Sequence, residues 1–271
     1  AGPRNAYTPP VPRPRVTPPV VEDVVVSVIS ERRVDLVWST PPGVKVAGFH
    51  VERAAVEVWS EDQLVLLKRS TPPLASPSVG AIRRVGSFAR LTSASLKMPS
   101  FTDDNIDLKA PRAVDGEPTF DRELHDEHVD RSGRAYPLAI FAYRVRAVDP
   151  SGNESGPSPA FFTFPSSPQH VFSRDEGTTC HLKWTANPEK DIARYRIYRL
   201  DGRWNQDPVS RLTPDPITET SYSDETAGAH TRRYYVVAVD ALGQEGFPSS
   251  PVWFQREWRD YYLPFIGEWH Q

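Results

Sequence analysis

The 271-residue chain carries a formal charge of −3, a pI near 6.2, 28 prolines and only 38% hydrophobic residues. That balance gives no bulk attraction to nucleic acid or an anionic membrane, and it favours small cores joined by extended segments over one large enzyme core. A single cysteine, Cys180, excludes an internal disulfide and every paired-cysteine zinc or haem motif.

Residues 1–20 are proline-rich, with Pro9, Pro10 and Pro12 at their centre. Such a segment lacks ladder donors and an apolar period. It reads as a polyproline-II arm rising about 3.1 Å per residue, serving as a spacer or a strap along a partner, with a disordered leader as the alternative. The chain opens on Ala1 with neither Met nor a secretory signal, which is read as the processed end of an exported protein. No run approaches the roughly 18 apolar residues of a membrane span.

From Val21 the pattern turns to β. Val24, Val26 and Val28 alternate, then Val34, Leu36 and Trp38, as half-buried strands do. Pro41-Pro42-Gly43 predicts a turn into a strand at Phe49–Arg53. Ser60 with Gln63 forms a capping box, Glu61 and Asp62 suit the positive end of a helix dipole, and Thr71-Pro72-Pro73 is a stop, so a short helix is predicted between them.

The pattern then recurs. Val34-Asp-Leu-Val-Trp38 is matched by Cys180-His-Leu-Lys-Trp184. Phe49, Val51 and Arg53 stand where Tyr195, Ile197 and Arg199 stand, at equal distances from their tryptophans. Ser100-Phe-Thr-Asp103 matches Ser221-Tyr-Ser-Asp224, and Tyr143-Arg-Val-Arg-Ala-Val-Asp149 matches Tyr234-Tyr-Val-Val-Ala-Val-Asp240. The repeat divides the chain into an arm (1–20), a first domain (21–165) with insertions near 57–98 and 106–136, a second domain (166–255) and a tail (256–271). Insertions confined to one copy read as acquired surface. Cys180, the counterpart of Val34, reads as a small core hydrophobe rather than a nucleophile.

These residues, with Trp184-Thr-Ala-Asn-Pro-Glu-Lys-Asp-Ile-Ala-Arg-Tyr195 and the run from Tyr143 to Ser158, resemble fibronectin type III modules of the bacterial extracellular kind. The resemblance implies an all-β chain of two tandem immunoglobulin-like sandwiches, each of two antiparallel sheets. It implies that Trp38 and Trp184 lie between the sheets, that Tyr143 and Tyr234 lie on a late strand, and that Gly152 and Gly243 turn into the last strand. Where the family usually places a Tyr, two residues before Tyr143 and Tyr234, this chain has Phe141 and Arg232, so no hydroxyl-pinned strand corner is expected there. The proline-rich start also resembles bacterial lipoproteins, although no lipid-bearing Cys opens the chain.

Little in the sequence points to catalysis. Glu123-Leu-His125-Asp126-Glu127-His128 sets two imidazoles among carboxylates, but the spacing is not a zinc-protease motif, so a metal-dependent enzyme is the remote alternative to a solvated loop. Asp103, Asp104 and Asp107, and Asp149 with Asn153 and Glu154, supply oxygens for calcium without the spacing of a known loop; capping of turns explains them about as well. Trp59 and Trp204 are candidates for stacking on a sugar ring, as in a carbohydrate- or polymer-binding module pair. The tail crowds Trp258, Tyr261, Tyr262, Phe265 and Trp269 beyond the last strand. Such side chains must pack, either on the second domain or as anchors in a groove of another protein. The resulting expectation is a non-catalytic scaffold of the periplasm or cell surface, without a cofactor. The proline arm and aromatic tail would dock it as an accessory subunit onto a larger surface, periplasmic or membrane-associated protein assembly.

Overall fold

The computed structural model of the protein describes residues 17–40, 43, 45–58, 82–109, 113–114, 139–202, 209–228 and 230–254. Pro9, Pro10 and Pro12, Trp59, the helix expected within 60–70, His125, His128, Trp204, and Trp258, Tyr261, Tyr262, Phe265 and Trp269 fall outside them.

Among the described residues every element is a strand. The first half holds β1 (Val24–Ser30), β2 (Arg33–Trp38), β3 (Gly48–Val58), β4 (Ile82–Val85), β5 (Ala89–Arg90), β6 (Ser100–Asp103), β7 (Ala113–Val114), β8 (Phe141–Val148) and β9 (Phe161–Phe162). The second holds β10 (Phe172–Glu176), β11 (Thr179–Lys183), β12 (Arg194–Leu200), β13 (Val209–Arg211), β14 (Ser221–Asp224), β15 (Arg232–Val239), β16 (Glu245–Pro248) and β17 (Val252–Phe254). Each half makes two sheets. In the first, β1-β2-β6 faces β4-β3-β8-β9, with β5 and β7 also on β3; in the second, β10-β11-β14 faces β13-β12-β15-β16, with β17 also on β15. Among the described residues no sheet joins the halves, and the architecture is that of two tandem β-sandwiches.

Alternation explains which side faces inward. Val24, Val26, Val28, Val34, Leu36 and Trp38 meet Phe49, Val51, Tyr143, Val145 and Ala147 in one core. Cys180, Leu182, Trp184, Tyr195, Ile197, Tyr234, Val236, Ala238 and Phe254 make the other. Burying each large side chain contributes roughly 1.5–3 kcal/mol. The tryptophans occupy matching places: Trp38 meets Phe49 edge-on with ring centres 5.3 Å apart, and Trp184 meets Tyr195 edge-on at 5.3 Å. Gly152 and Gly243 turn into the last strands at φ of 82° and 81°, where a side chain would strain the backbone. Cys180 is fully buried, and burial pushes its thiol up to about 12.

Parts of the stretches expected as insertions belong to the sandwich itself. Residues 89–96 belong to the repeat: Leu91 N–H donates to Val51 O and Leu96 exchanges bonds with Phe49, as Leu212 does with Ile197 and Ile217 with Tyr195. The signal was the tripeptide Arg90-Leu91-Thr92, which recurs as Arg211-Leu212-Thr213. At the second insertion Ile106 and Leu108 are buried in the first core rather than forming surface. Further on, β7 pairs with β3 in parallel, an addition to an otherwise antiparallel sandwich.

Candidate functional site

Three polar devices repeat in the two modules. The first is a buried triad. Asp103 Oδ2 accepts from the Tyr143 hydroxyl at 2.7 Å and from Arg53 at 2.6 Å. Asp224 Oδ2 accepts from the Tyr234 hydroxyl at 2.7 Å and from Arg199 at 2.8 Å. Burial raises both phenols, so each stays a protonated donor. For Asp224 burial acts upward, but hydrogen bonds from Thr226, Arg199 and Tyr234 outweigh it and hold the carboxyl below the usual range. A hydroxyl pin therefore exists in both modules, supplied by Tyr143 and Tyr234 rather than by the positions two residues earlier. In the second device a threonine substitutes for a ladder partner: Thr92 accepts from Val51 N–H and Thr213 from Ile197 N–H. The third uses serine, with Ser158 accepting from Val145 N–H and Ser249 from Val236 N–H. All three satisfy buried groups and stiffen each sandwich.

The outer face of β3 and β8 carries a charge ladder. Glu52 pairs with Arg144 and with Arg146 at 3.0 Å, and Arg90 grips Glu154 at 2.7 and 2.9 Å. Arg144 also lies 4.0 Å over the Phe88 ring. In the second module the counterpart is Arg196 with Glu245 at 2.9 Å and the Tyr198 hydroxyl on Glu245 at 2.7 Å.

The two sandwiches meet at a junction whose contacts no local sequence pattern marks. Phe162 and Phe164 stack at 5.1 Å, and Phe247 of β16 meets Phe164 edge-on at 4.8 Å. Leu242, from the β15–β16 turn, packs against the first core. Around this apolar patch the backbone is stitched. Phe247 N–H donates to Pro165 O at 3.2 Å, Gln244 Nε2 donates to Thr163 O at 3.2 Å, and Ser167 donates to Pro248 O at 2.9 Å. The β11–β12 loop reaches across: Lys190 N–H donates to Ser27 Oγ at 3.0 Å, and Asp191 accepts from the backbone of Val28. Ser27 points away from its own core yet is buried, because that loop covers it. Covering β1 also protects an open sheet edge. Beside the aromatics lies a small cleft of about 190 Å³ lined by Val24, Val26, Phe161, Phe162, Phe247 and Glu189, among others.

Most of the carboxylates read as calcium ligands are otherwise engaged: Asp107 accepts from Lys109 N–H and Glu154 is held by Arg90. Asp103 serves the triad and the Asn105 N–H, and Asp149 accepts from Ser151 and Asn153 within its own turn. Among the described residues no three His, Cys, Asp or Glu side chains are grouped to hold a metal. Immediately before the tail, Phe254 is fully buried while Trp253 stays partly exposed under the Arg233 guanidinium at 5.1 Å. The residues put forward for partner contacts, for sugar stacking and for a transition metal all lie outside the described part of the chain.

No family model matches the chain, and no curated protein does. Similar solved structures include a two-domain fibronectin type III segment of chicken tenascin, 12% identical over 87% of this chain and 98% of that one, with a TM-score of 0.30. A Fn3-like protein from Clostridium thermocellum is 26% identical over 34% of this chain and 94% of that one, TM-score 0.29. The FN1–FN3 domains of chicken CNTN1 are 13% identical over 89% of this chain and 69% of that one, TM-score 0.29.

Proposed function

We propose that the protein is a non-catalytic, extracytoplasmic scaffold that holds binding segments at a set separation, as an accessory subunit of a larger protein assembly. The observation that carries this reading is the junction. Two sandwiches joined by an aromatic cluster and backbone hydrogen bonds form a spacer of defined geometry rather than beads on a free linker. Among the described residues, Asp224 with Arg199, Asp103 with Arg53 and Glu52 with Arg146 are held in structural pairs, which is what a stiff scaffold needs. In this reading the tail residues Trp258, Tyr262 and Trp269 act as anchors on a partner, and the proline arm sets their reach.

The test compares the full chain with one ending at residue 255, each expressed in the native host and isolated by gentle extraction of the envelope. The full chain is expected to elute in a stoichiometric complex. The shortened chain should elute alone, with both unfolding transitions unchanged. A shortened chain that stays in the complex, or whose second module melts early, overturns the assignment of the tail as the anchor.

A further inference from the structure

We propose that the junction is a proton-controlled hinge, in which neutral Asp191 keeps the β11–β12 loop docked on the open edge of β1 and ionised Asp191 loosens it. This goes beyond the scaffold reading and does not depend on what the ends bind.

The inference starts from where the loop places its acids. Asn187-Pro-Glu189-Lys-Asp191 is the part of the second module that meets β1. Glu189 and Asp191 are buried, at 7% and 9% exposure, and Asp240 in the neighbouring turn is buried at 4%. One oxygen each of Asn187, Glu189 and Asp191 is buried without a hydrogen-bond partner. The other oxygen of Glu189 accepts from Ser166 N–H at 2.7 Å, across the linker. Asp191 therefore sits where two module surfaces close over it, with an unsatisfied acceptor.

The charges around it favour the neutral form. From its own loop Asp191 faces Glu189, and from the β15–β16 turn it faces Asp240; both are like charges. Module one contributes the Val28 backbone N–H and the neutral Ser27 hydroxyl. Lys190, the cation of the same loop, is exposed and acts on Asp35 of β2, which Arg33 also holds. Gln244 is neutral and bridges Asp240 to Thr163 O. A buried carboxylate among like charges is costly, whereas a buried carboxylic acid is not. Burial first, then Asp240 and Glu189, push Asp191 up to about 7 against its usual 3.8, and burial pushes Asp240 up to about 6 despite the turn N–H groups it accepts.

The direction follows from linkage. A carboxyl that binds its proton more tightly docked than undocked stabilises docking fully below its ordinary value, and that stabilisation is lost as pH rises through the docked value. Between pH 5.5 and 8 the docking equilibrium should weaken roughly tenfold or more from Asp191 alone. The phenylalanine cluster does not titrate, so the hinge loosens rather than dissociates.

The test is amide hydrogen exchange on the full chain, with a chelator present, at half-unit steps from pH 5.5 to pH 8.0 and corrected for intrinsic exchange. Val28 and Phe247 report the junction, while Ile197 and Val236 report the second core. The junction amides are expected to lose protection by at least tenfold at the higher pH while the core amides keep theirs. Asp191→Asn, which keeps an acceptor for Val28 but cannot ionise, should hold protection across the range. Glu189→Gln removes one like charge and should move the midpoint to lower pH. Equal junction protection at the two ends of the range in the native chain overturns the proposal. So does loss of protection in Asp191→Asn that follows the native chain, and so does a midpoint that Glu189→Gln leaves in place.

Discussion

The Tyr234 hydroxyl lies 2.7 Å from Asp224 Oδ2, inside the second module. The same 2.7 Å contact joins Tyr143 to Asp103 in the first module. Two copies have thus kept the tyrosine, the aspartate and the arginine beside them, Arg199 and Arg53, while most of their other residues differ. Removing the hydroxyl alone, Tyr234→Phe, is expected to cost about 1–2 kcal/mol, because Arg199 and Thr226 still serve the carboxylate. Asp224→Ala strips the buried Tyr234 hydroxyl of its acceptor and leaves Arg199 with Asp201 and Thr226 only, and should cost about 3 kcal/mol. Denaturant unfolding of the full chain, followed by a probe in each module, measures both.

The same triad is expected to weaken the second module in acid. The folded carboxyl of Asp224 lies below its usual 3.8, so it adds stability above that unfolded value and loses it as pH falls through the folded one. Thermal unfolding between pH 5 and pH 2 should show the second module weakening steeply. In Asp224→Asn the dependence over that interval should be shallower, on a lower baseline. A variant with an unchanged slope would mean that other carboxylates govern acid unfolding.

The sandwich cores were legible because strand periodicity is local. Val24, Val26 and Val28 announce a buried face by their spacing alone, and the paired tryptophans fix the register of two copies. The polar pins were half legible. Arg-Leu-Thr recurs at 90–92 and 211–213, but what Thr213 does depends on Ile197 presenting its N–H toward it from another strand. Nothing in the sequence around Ser27 marks it as buried, since its cover comes from Lys190 in the other module. Contacts of that kind depend on the angle between two domains, which no short-range pattern encodes.

Threonine in place of a ladder partner makes a sharp mutational signature. Thr213→Val keeps the shape and removes the acceptor, so the buried Ile197 N–H loses its partner. A loss of about 1–3 kcal/mol in the second module is expected, with Thr92→Val doing the same in the first. Thr213→Ser keeps the hydroxyl and should recover most of it. If valine and serine behave alike, packing of the methyl group rather than the hydrogen bond is what the position supplies.

Gly246 separates junction geometry from module stability. A Cβ built there falls 2.0 Å from Pro165 O, well inside contact distance, and the obstacle is backbone rather than a movable side chain. Gly246→Ala must displace the linker, and with it the Phe247 N–H bond to Pro165 and the contact of Phe247 with Phe164. The expected result is a second module that keeps its own core while the modules no longer hold one mutual orientation. Small-angle scattering should show a broader distribution of interatomic distances than the native chain, and exchange protection at Phe247 should fall while Val236 keeps its own. Unchanged scattering in Gly246→Ala would show that the linker yields without cost, and the idea of a fixed spacer would go with it.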